Sequence, residues 1–574
     1  MKPETYTPKL LTVFREGYST ATFRADAIAG LTVAIVALPL AMALGIASGA
    51  SPDKGLITAV VAGFLISALG GSRVQVGGPT GAFVVVIFNV IASHGYDGLL
   101  VATLLAGLIL ILAGVLRLGQ MIKYIPHPVV TGFTAGIAVI IASSQVRDFL
   151  GLAIDKVPAD FLPKWQAYLG ALPSASLATI GVGAGALAII VGLRKFAPRL
   201  PGFLIAVVAS SFAVALLHLP VDTIGSRFPD IPAGLPMPSL PDISLAKINA
   251  VLPSAFTIAF LAGIEALLSA VVADGMIGTR HRSNQELIGQ GVANLGSALF
   301  GGLPATGAIA RTATNIRSGA KTPVAGMMHA VFLLVFILFG TDLMAYVPMA
   351  ALAAILFMVA WGMSEYQRFL ALLRMPNSDR AVLLLTFGLT VLVDLTVAIA
   401  VGVTLASLLF MARMAEAVEV GPGGPRDIDL DAEDMHQRDD LPPGVEVFRI
   451  AGPFFFGVAG ELLDTLRRLG QSPRVVILRL RLMPLLDASG AQALVEFVEQ
   501  ARLAGAQVVL SGVQPQPRSM LDRVGLGEAS GKTFHALDYT RAQSLAVDLI
   551  ERQQAHDRAK AAGHPTNRSN TDGA

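Results

Sequence analysis

Cysteine is absent from the 574 residues, which excludes disulfide bonds, thiol catalysis and cysteine-ligated metal sites. Charged side chains are also scarce, at 14% of the sequence, whereas ordinary soluble domains carry roughly a quarter. The sequence has no Walker motif, no nucleotide-binding pattern and no histidine–aspartate cluster spaced for a metal ion. It therefore predicts neither an enzyme nor an ATP-driven pump, and we expect no cofactor, no metal and no nucleic-acid partner.

The N-terminus has charges of both signs and lacks the continuous apolar stretch of a cleavable signal peptide. Elsewhere apolar residues dominate: 54% of the chain is hydrophobic and the mean hydropathy is +0.66. Long apolar runs recur from about Ala27 to Arg413, which predicts a polytopic helical membrane protein, and charges become frequent afterwards. The predicted domains are a cytoplasmic segment (1–25), a transmembrane domain (26–413), a linker (414–443), a soluble domain (444–554) and a disordered tail (555–574).

Two segments, Gly70–Ala92 and Gly301–Gly326, share a pattern: a run broken by glycine and proline, followed by a short apolar helix. Interrupted hydrophobic segments in corresponding positions of two halves are typical of the binding site of a transporter. A helix that begins inside the membrane leaves backbone N–H groups free at its start. Two such starts that face each other would form a partly positive pocket for an anion.

About twelve to fourteen apolar segments can be counted, and a count of fourteen places seven before and seven after the proline-rich loop of residues 220–252. With this count, the basic clusters around Arg117, Arg194, Arg280, Arg317 and Arg368 fall on the side of the N-terminus. That side is therefore predicted to be cytoplasmic. The same count sends the two broken segments through the membrane in opposite directions, as an inverted repeat requires.

Glu265 is the most informative single residue, because it lies in the apolar stretch AFLAGIEALLSAVVADG. Carboxylates in spans are costly and tend to be functional, and burial favours the protonated form, so we predict a proton-coupling role. The alternative is a structural hydrogen bond within the bundle. Ser269 lies one helical turn later on the same face. Arg311, near the start of the second short helix, either attracts anions, pairs with Glu265 or contacts neighbouring backbone.

Residues with little side-chain chemistry surround both helix starts, so any binding role would come through their N–H groups. They are Thr80, Gly81 and Ala82 after the first break, and Gly307, Ala308, Ile309 and Ala310 after the second. Close helix packing by small residues is an equally good interpretation. For Asn284, Gln285, Glu286 and Asn294 we favour capping and loop closure, and for Asp394 a structural role at a helix–helix turn.

The soluble C-terminal region alternates strand-like and helix-like segments, which predicts a small α/β domain. The expected strands are Val445–Ile450, Val475–Leu480 and Ala506–Ser511, and the expected amphipathic helix is Ala491–Leu503.

Several stretches, in order along nearly the whole chain, resemble the sulfate-permease (SulP) family, whose animal members form solute-carrier family 26. They are Asp26–Gly30, residues 39–49 (PLAMALGIASG), 70–83 (GGSRVQVGGPTGAF) and 283–311 (SNQELIGQGVANLGSALFGGLPATGAIAR), and DASG at 487–490. The resemblance implies a polytopic all-α membrane protein with a 7+7 inverted repeat of 14 transmembrane segments and two half-helices. It also implies core and gate subdomains, an elevator-like motion, a cytoplasmic STAS domain and often a homodimer.

Carried residue by residue, the resemblance places an anion site between the first, third, eighth and tenth segments. The corresponding residues are Leu40, Ala41, Met42, Thr80, Gly81, Ala82, Glu265, Ser269, Ala308, Ile309, Ala310 and Arg311. Leu40 and Leu44 replace a glutamine and an aromatic residue of many members, and Ala308 and Ala310 replace serines of some. The more apolar pocket, together with a glutamate at position 265, is similar to bacterial members that move C4-dicarboxylates with protons.

The sequence thus predicts a secondary active anion transporter of a bacterial inner membrane, with both termini cytoplasmic. Proton symport of a C4-dicarboxylate such as succinate or fumarate is favoured, and transport of sulfate or bicarbonate, coupled to protons or sodium, and anion exchange are the alternatives. A passive anion channel, or a signalling scaffold that binds a cytoplasmic protein through the STAS domain, is the alternative of another class. Ser489 is the single hydroxyl in the DASG loop and the candidate for regulatory phosphorylation.

Overall fold

The computed structural model describes residues 6–120, 126–154, 157, 158, 160–198, 200–229, 231, 232, 234–393, 395–422, 441–456, 458 and 473–562. Asp394 and most of the predicted linker lie outside them. The chain forms two compact units, Met1–Ala406 and Ser407–Ala574. The first is helical and the second is built on a five-stranded sheet.

The first half of the helical unit consists of long apolar helices and three short helices. Its helices are α1 (Lys9–Glu16), α2 (Thr20–Ala47), α3 (Pro52–Leu69), α4 (Val84–Val115), α5 (His127–Leu150), α6 (Phe161–Ala171), α7 (Leu177–Phe196), α8 (Gly202–Leu217) and α9 (Ile224–Arg227). Local sequence accounts for several starts, because Ser19 and Ser176 accept N-terminal backbone N–H groups of α2 and α7, and Pro52 opens α3.

The second half also combines long apolar helices with short ones. Its helices are α10 (Leu245–Ile277), α11 (Ser283–Leu299), α12 (Ile309–Arg317), α13 (Val324–Phe339), α14 (Thr341–Met344), α15 (Met349–Met363), α16 (Tyr366–Leu372), α17 (Asn377–Leu392) and α18 (Leu395–Glu416).

With the short helices α1, α6, α9, α14 and α16 left aside, the described part of this unit has fourteen helical segments once α4 is divided at Gly95. There φ is 71° and ψ is 177°, so the helix is broken into a short first piece and a longer second piece. Eight of the described helices are long and apolar enough to span a membrane, and α8 and α13 are shorter apolar helices. The predicted fold class, a polytopic helical membrane protein with two half-helices, is confirmed.

The two broken segments meet as an antiparallel pair of two-residue strands. In this pair β1 (Gly77–Gly78) runs beside β2 (Thr306–Gly307), with Gly77 opposite Gly307 and Gly78 opposite Thr306. Each strand is followed within a few residues by a short helix, which is the first piece of α4 or α12. Opposite chain directions at this contact are what the predicted inverted repeat requires.

The C-terminal unit is a small α/β domain, as predicted, with more strands than the sequence indicated. Its strands are β3 (Glu419–Pro422), β4 (Val445–Ala451), β5 (Val475–Arg479), β6 (Gln507–Ser511) and β7 (Phe534–Ala536), in that spatial order. The first pair is antiparallel and the others are parallel. Helices Ala488–Leu503 and Pro515–Arg523 pack on one face of the sheet and Tyr539–Ala562 on the other.

Two predicted boundaries differ from the structure of this unit. The expected linker contains β3, which pairs with β4 over Glu419–Pro422, although its glycines and prolines are typical of a loop. The expected disordered tail begins at residue 555, but helix Tyr539–Ala562 continues through its first eight residues. Alanine, arginine and lysine dominate that stretch and favour helix even without an apolar stripe. Residues 563–574 lie outside the described range.

Candidate anion-binding site at the crossing of the two broken segments

The first broken segment, residues 70–80, has an extended backbone whose hydrogen bonds go to distant helices. Glu286 accepts the N–H groups of Gly71 (2.8 Å) and Ser72 (3.0 Å). The amide of Asn315 donates to the carbonyl of Val74 at 2.9 Å. Buried backbone groups thereby find partners without forming a helix, which is necessary in an apolar environment.

The second broken segment, residues 301–308, is held in a corresponding way. The hydroxyl of Thr58 accepts the N–H of Leu303 at 2.6 Å. Asn294 makes two bonds to Ala305, accepting its N–H at 2.9 Å and donating to its carbonyl at 2.8 Å. These bonds accord with the capping and loop-closure role expected of the polar residues on α11.

Glu265 lies on α10 beside the start of the first short helix. Its carboxylate accepts a hydrogen bond from the Thr80 hydroxyl at 2.8 Å, and the side chain remains partly exposed. Thr80 precedes Gly81, where the helical turn leading into α4 begins. The sequence prediction that these residues share a site therefore corresponds to a direct contact between two segments 185 positions apart.

Arg311, on α12, extends across the strand pair toward the first broken segment. Its side chain is 3% exposed, and it donates to the carbonyl of Pro79 at 3.0 Å. The Nε and one terminal nitrogen have no protein hydrogen-bond partner. No ion pair within 4.0 Å joins it to Glu265 among the described residues, although their charges interact. Of the three roles considered for Arg311, the structure displays the backbone contact and leaves donors available to an anion.

Ser269 lies one turn beyond Glu265 and contacts α12 rather than Glu265. Its hydroxyl donates to the Thr312 hydroxyl at 3.2 Å, and Thr312 in turn accepts the N–H of Val76 at 3.1 Å. Thr312 was not predicted, but its position one residue after Arg311 could have indicated it.

At the start of α12, one backbone N–H group has a hydrogen-bond acceptor in the protein and the next three have no helical acceptor. Ala308 donates its N–H to the carbonyl of Val76 at 2.9 Å, so this amide is not available to an anion, contrary to the expectation for this residue. This hydrogen bond continues the pairing of the two broken segments, and it occupies the N–H of Ala308. The first intrahelical bond is from Thr312 to Ala308, which leaves the N–H groups of Ile309, Ala310 and Arg311 without helical acceptors. The side chains of Ile309 and Ala310 are exposed.

The remaining predicted residues occupy two different environments. Ala41 and Met42 are buried, and the carbonyl of Ala41 lies against Gly55 of α3, whereas Leu40 is partly exposed. Gly81 and Ala82 are buried at the start of the first short helix.

Two apolar side chains that the sequence did not reveal close the site at Gly81. A methyl group built on this glycine would lie 2.6 Å from the Met363 sulfur and 3.2 Å from the Ile141 side chain. These residues belong to α15 and α5, whereas Glu265 and Arg311 belong to α10 and α12. Methionine and isoleucine within apolar helices carry no sequence signal of such a role.

Glutamine at position 286 should destabilise the helical unit. Glu286 is fully buried and accepts three hydrogen bonds, from Gly71, Ser72 and Gln290. An amide would direct N–H groups at one or more of these donors, so we expect Glu286→Gln to cost about 1.5–3 kcal/mol. Thermal unfolding of the purified protein measures this. Glu16→Gln, which removes one exposed partner of Arg73, is the control and should cost no more than about 1 kcal/mol. Equal midpoints for the two variants would contradict the assignment.

Comparison with known proteins agrees with this architecture. The Sulfate permease family model matches residues 23–386 and the STAS domain model matches residues 439–539. The "Putative sulfate transporter YvdB" of Bacillus subtilis is 40% identical over 91% of this chain and 98% of its own length. The bicarbonate transporter BicA of Picosynechococcus is 32% identical over 88% of this chain and 91% of its own length.

Two solved structures of transporters have a fold similar to that of this chain. The transmembrane domain of a cyanobacterial BicA is 32% identical, with a TM-score of 0.60 over 68% of this chain and 98% of that chain. Murine Slc26a9 in its inward-facing state is 17% identical, with a TM-score of 0.84 over 95% of this chain and 94% of that chain, which is a likeness of fold. These relatives are named as transporters and not as enzymes. The chain is an anion transporter with a C-terminal STAS domain, and it belongs to the sulfate permease family.

Proposed function

We propose that this chain is a secondary active transporter that moves a small inorganic oxyanion, sulfate or bicarbonate, together with a proton. The observation that carries the proposal is the antiparallel contact of Gly77–Gly78 with Thr306–Gly307, which brings the starts of two short helices together beside Glu265. Free N–H groups at a helix start and the unpaired donors of Arg311 favour an anion there.

The choice of anion departs from the dicarboxylate expected from the sequence. The two relatives described above are named as sulfate and bicarbonate transporters, so the sequence alternative is the better supported one. The alanines at positions 308 and 310 do not argue for an organic substrate, because binding at a helix start uses backbone N–H groups.

Proton coupling follows from the position of Glu265 next to the proposed anion. An ionised carboxylate and a neighbouring anion repel each other, and this repulsion is stronger within a protein than in bulk water. Protonation of Glu265 removes this repulsion, so the proton and the anion bind with positive coupling, and each raises the affinity for the other. The Thr80 hydroxyl, 2.8 Å from the carboxylate, keeps the carboxyl group directed at the start of the first short helix.

Transport further requires the site to open to each side of the membrane in turn. We propose that the broken segments and their helices move relative to α5 and α15, whose Ile141 and Met363 contact Gly81 in this structure. These contacts would break when the site moves past them, as in the elevator-like motion implied by the resemblance. A homodimer, an inner-membrane location and cytoplasmic termini stay predictions.

A panel of uptake measurements tests the proposed function. Purified protein in proteoliposomes should accumulate labelled sulfate or bicarbonate when a pH gradient is imposed, with or without sodium, and uptake should saturate. Preference for succinate would restore the dicarboxylate prediction, and strict dependence on sodium would contradict proton coupling. Conductance without saturable uptake would indicate a channel.

A further inference from the structure

A cavity of about 260 Å³ lies beside the first short helix, at the end of the bundle where α2 and α5 terminate. Its lining includes Val84, Phe88 and Asn89, which follow Thr80 by four to nine residues, roughly 6–13 Å along a helix. None of Thr80, Glu265 and Arg311 lines it, so its lining is distinct from the residues at the crossing of the broken segments.

Positive charge dominates the lining of this cavity. Arg147, Lys164 and Arg227 contribute to it, and Asp148 is the one carboxylate among the described lining residues. Asp148 is engaged with Arg227 in an ion pair of 2.8 Å. The helices α2 and α4 contribute apolar side chains and Asn89, without charge. Two cations, Arg147 and Lys164, are thus left without an ion-pair partner among the described residues.

Lys164 is an unusual residue for such a position, because it is 4% exposed and yet its side chain makes no hydrogen bond to the described part of the protein. Its ammonium group lies 5.6 Å from the centre of the Phe88 ring. Burial lowers the pKa of Lys164, and the nearby charge of Asp160 opposes this in part. A buried ammonium group is costly unless an anion accompanies it.

Two further donors beside Lys164 also lack partners. The Arg147 Nε and the Tyr168 hydroxyl are buried and have no protein hydrogen-bond partner. Burial raises the pKa of Tyr168, so its hydroxyl keeps the proton that it would donate. An ammonium, a guanidinium and a phenol that converge on one cavity form the donor set that an oxyanion requires.

We propose that the cavity lined by Arg147, Lys164 and Tyr168 is a second anion site, which holds a small inorganic oxyanion such as sulfate. It takes the same class of ion as the site proposed at the crossing of the two broken segments, called the central site below. Anion binding in the cavity does not depend on Thr80 or Glu265 of the central site. An anion held here is concentrated within about two helical turns of the central site.

Trp165 provides a direct reporter of occupancy. It is adjacent to Lys164, its ring packs against Tyr168 at 5.9 Å, and its indole N–H donates to the Ser143 hydroxyl at 3.2 Å. The sequence contains two tryptophans, and the other, Trp361, is exposed, so Trp361→Phe leaves Trp165 as the single tryptophan. Sulfate titrated at constant ionic strength should change the Trp165 emission saturably.

Three variants in this background separate the second site from the central one. Lys164→Met, which keeps the stem and removes the charge, should weaken the sulfate response at least about tenfold. Lys164→Arg should retain it, and Thr80→Val, which alters the central site, should leave it unchanged. The proposal is overturned if sulfate gives no saturable response, if Lys164→Met responds like the parent, or if Thr80→Val abolishes the response.

The pH dependence of this response provides an independent test. Only the protonated form of Lys164 attracts the anion, so sulfate affinity should fall as pH rises through the pKa of this lysine. Because burial lowers that pKa, the fall should begin at a lower pH than for an exposed lysine. Lys164→Arg should remain insensitive over the same range, since arginine keeps its charge. Equal pH profiles for the parent and Lys164→Arg would contradict the role of Lys164.

Discussion

Replacing Glu265 with glutamine should abolish proton-driven accumulation of the anion while sparing exchange of anions across the membrane. A gradient of one pH unit supplies about 1.4 kcal/mol per proton, enough for roughly tenfold accumulation at a stoichiometry of one. Glutamine keeps an oxygen that accepts the Thr80 hydroxyl at 2.8 Å, so the geometry is retained. It cannot gain or lose a proton, and the expected accumulation ratio therefore falls from about ten to about one.

The experiment uses proteoliposomes with an imposed pH gradient, and it records both net uptake and exchange of labelled sulfate or bicarbonate. Glu365→Gln is the matched control, because Glu365 is paired with Arg368 through an exposed ion pair. It should accumulate anion like the parent protein. If Glu265→Gln still accumulates anion with full dependence on the pH gradient, Glu265 is not the proton-coupling residue.

The Thr80→Val variant tests whether proton coupling needs only the carboxylate of Glu265 or also the hydrogen bond that orients it. Valine has nearly the shape of threonine but cannot donate to the carboxylate. We therefore expect the variant to keep gradient-driven uptake with a raised KM, since the proton site is present but less well positioned. Loss of all coupling in Thr80→Val, equal to that of Glu265→Gln, would show that the hydrogen bond itself is essential.

Much of this site could be predicted from the sequence because its segments contain residues that are unusual in a membrane-spanning helix. Glycine and proline in Gly70–Ala92 and Gly301–Gly326 interrupt apolar runs, and Glu265 places a carboxylate where the cost is high. The pattern alone therefore predicted that the two segments form one site, and the pairing of Gly77 with Gly307 brings them together.

The features that could not be predicted depend on tertiary packing. The use of the Ala308 N–H by the Val76 carbonyl follows from the register of the strand pair, and local sequence does not encode it. Met363 and Ile141 contact Gly81 through apolar atoms, which look like any other core residues. Lys164, in a short helix between spans, reads as an ordinary surface charge until the fold buries it among Phe88, Tyr168 and Arg147.

Gly55→Ala should be the most damaging conservative substitution in the helical unit. Gly55 lies on α3 where this helix crosses α2, and a methyl group there would lie 1.9 Å from the carbonyl oxygen of Ala41. Backbone atoms cannot rotate away as a flexible side chain can, so the two helices must separate. Overpacking typically costs 1–3 kcal/mol, and we expect about 3 kcal/mol or more here because the obstacle is main chain.

Gly181→Ala is the matched control, because nothing lies within 4 Å of a methyl group built on this glycine of α7. Alanine favours helix over glycine by about 1 kcal/mol, so this variant should be as stable as the parent or more stable. The unfolding midpoint and the yield of folded protein should therefore fall for Gly55→Ala and stay equal or rise for Gly181→Ala. Separation of α2 from α3 also displaces the turn of α2 that carries Leu40 and Met42, so any folded Gly55→Ala protein should show a raised KM. An unchanged unfolding midpoint for Gly55→Ala would mean that the packing of α2 on α3 is loose, and that these helices do not support the central site as one rigid body.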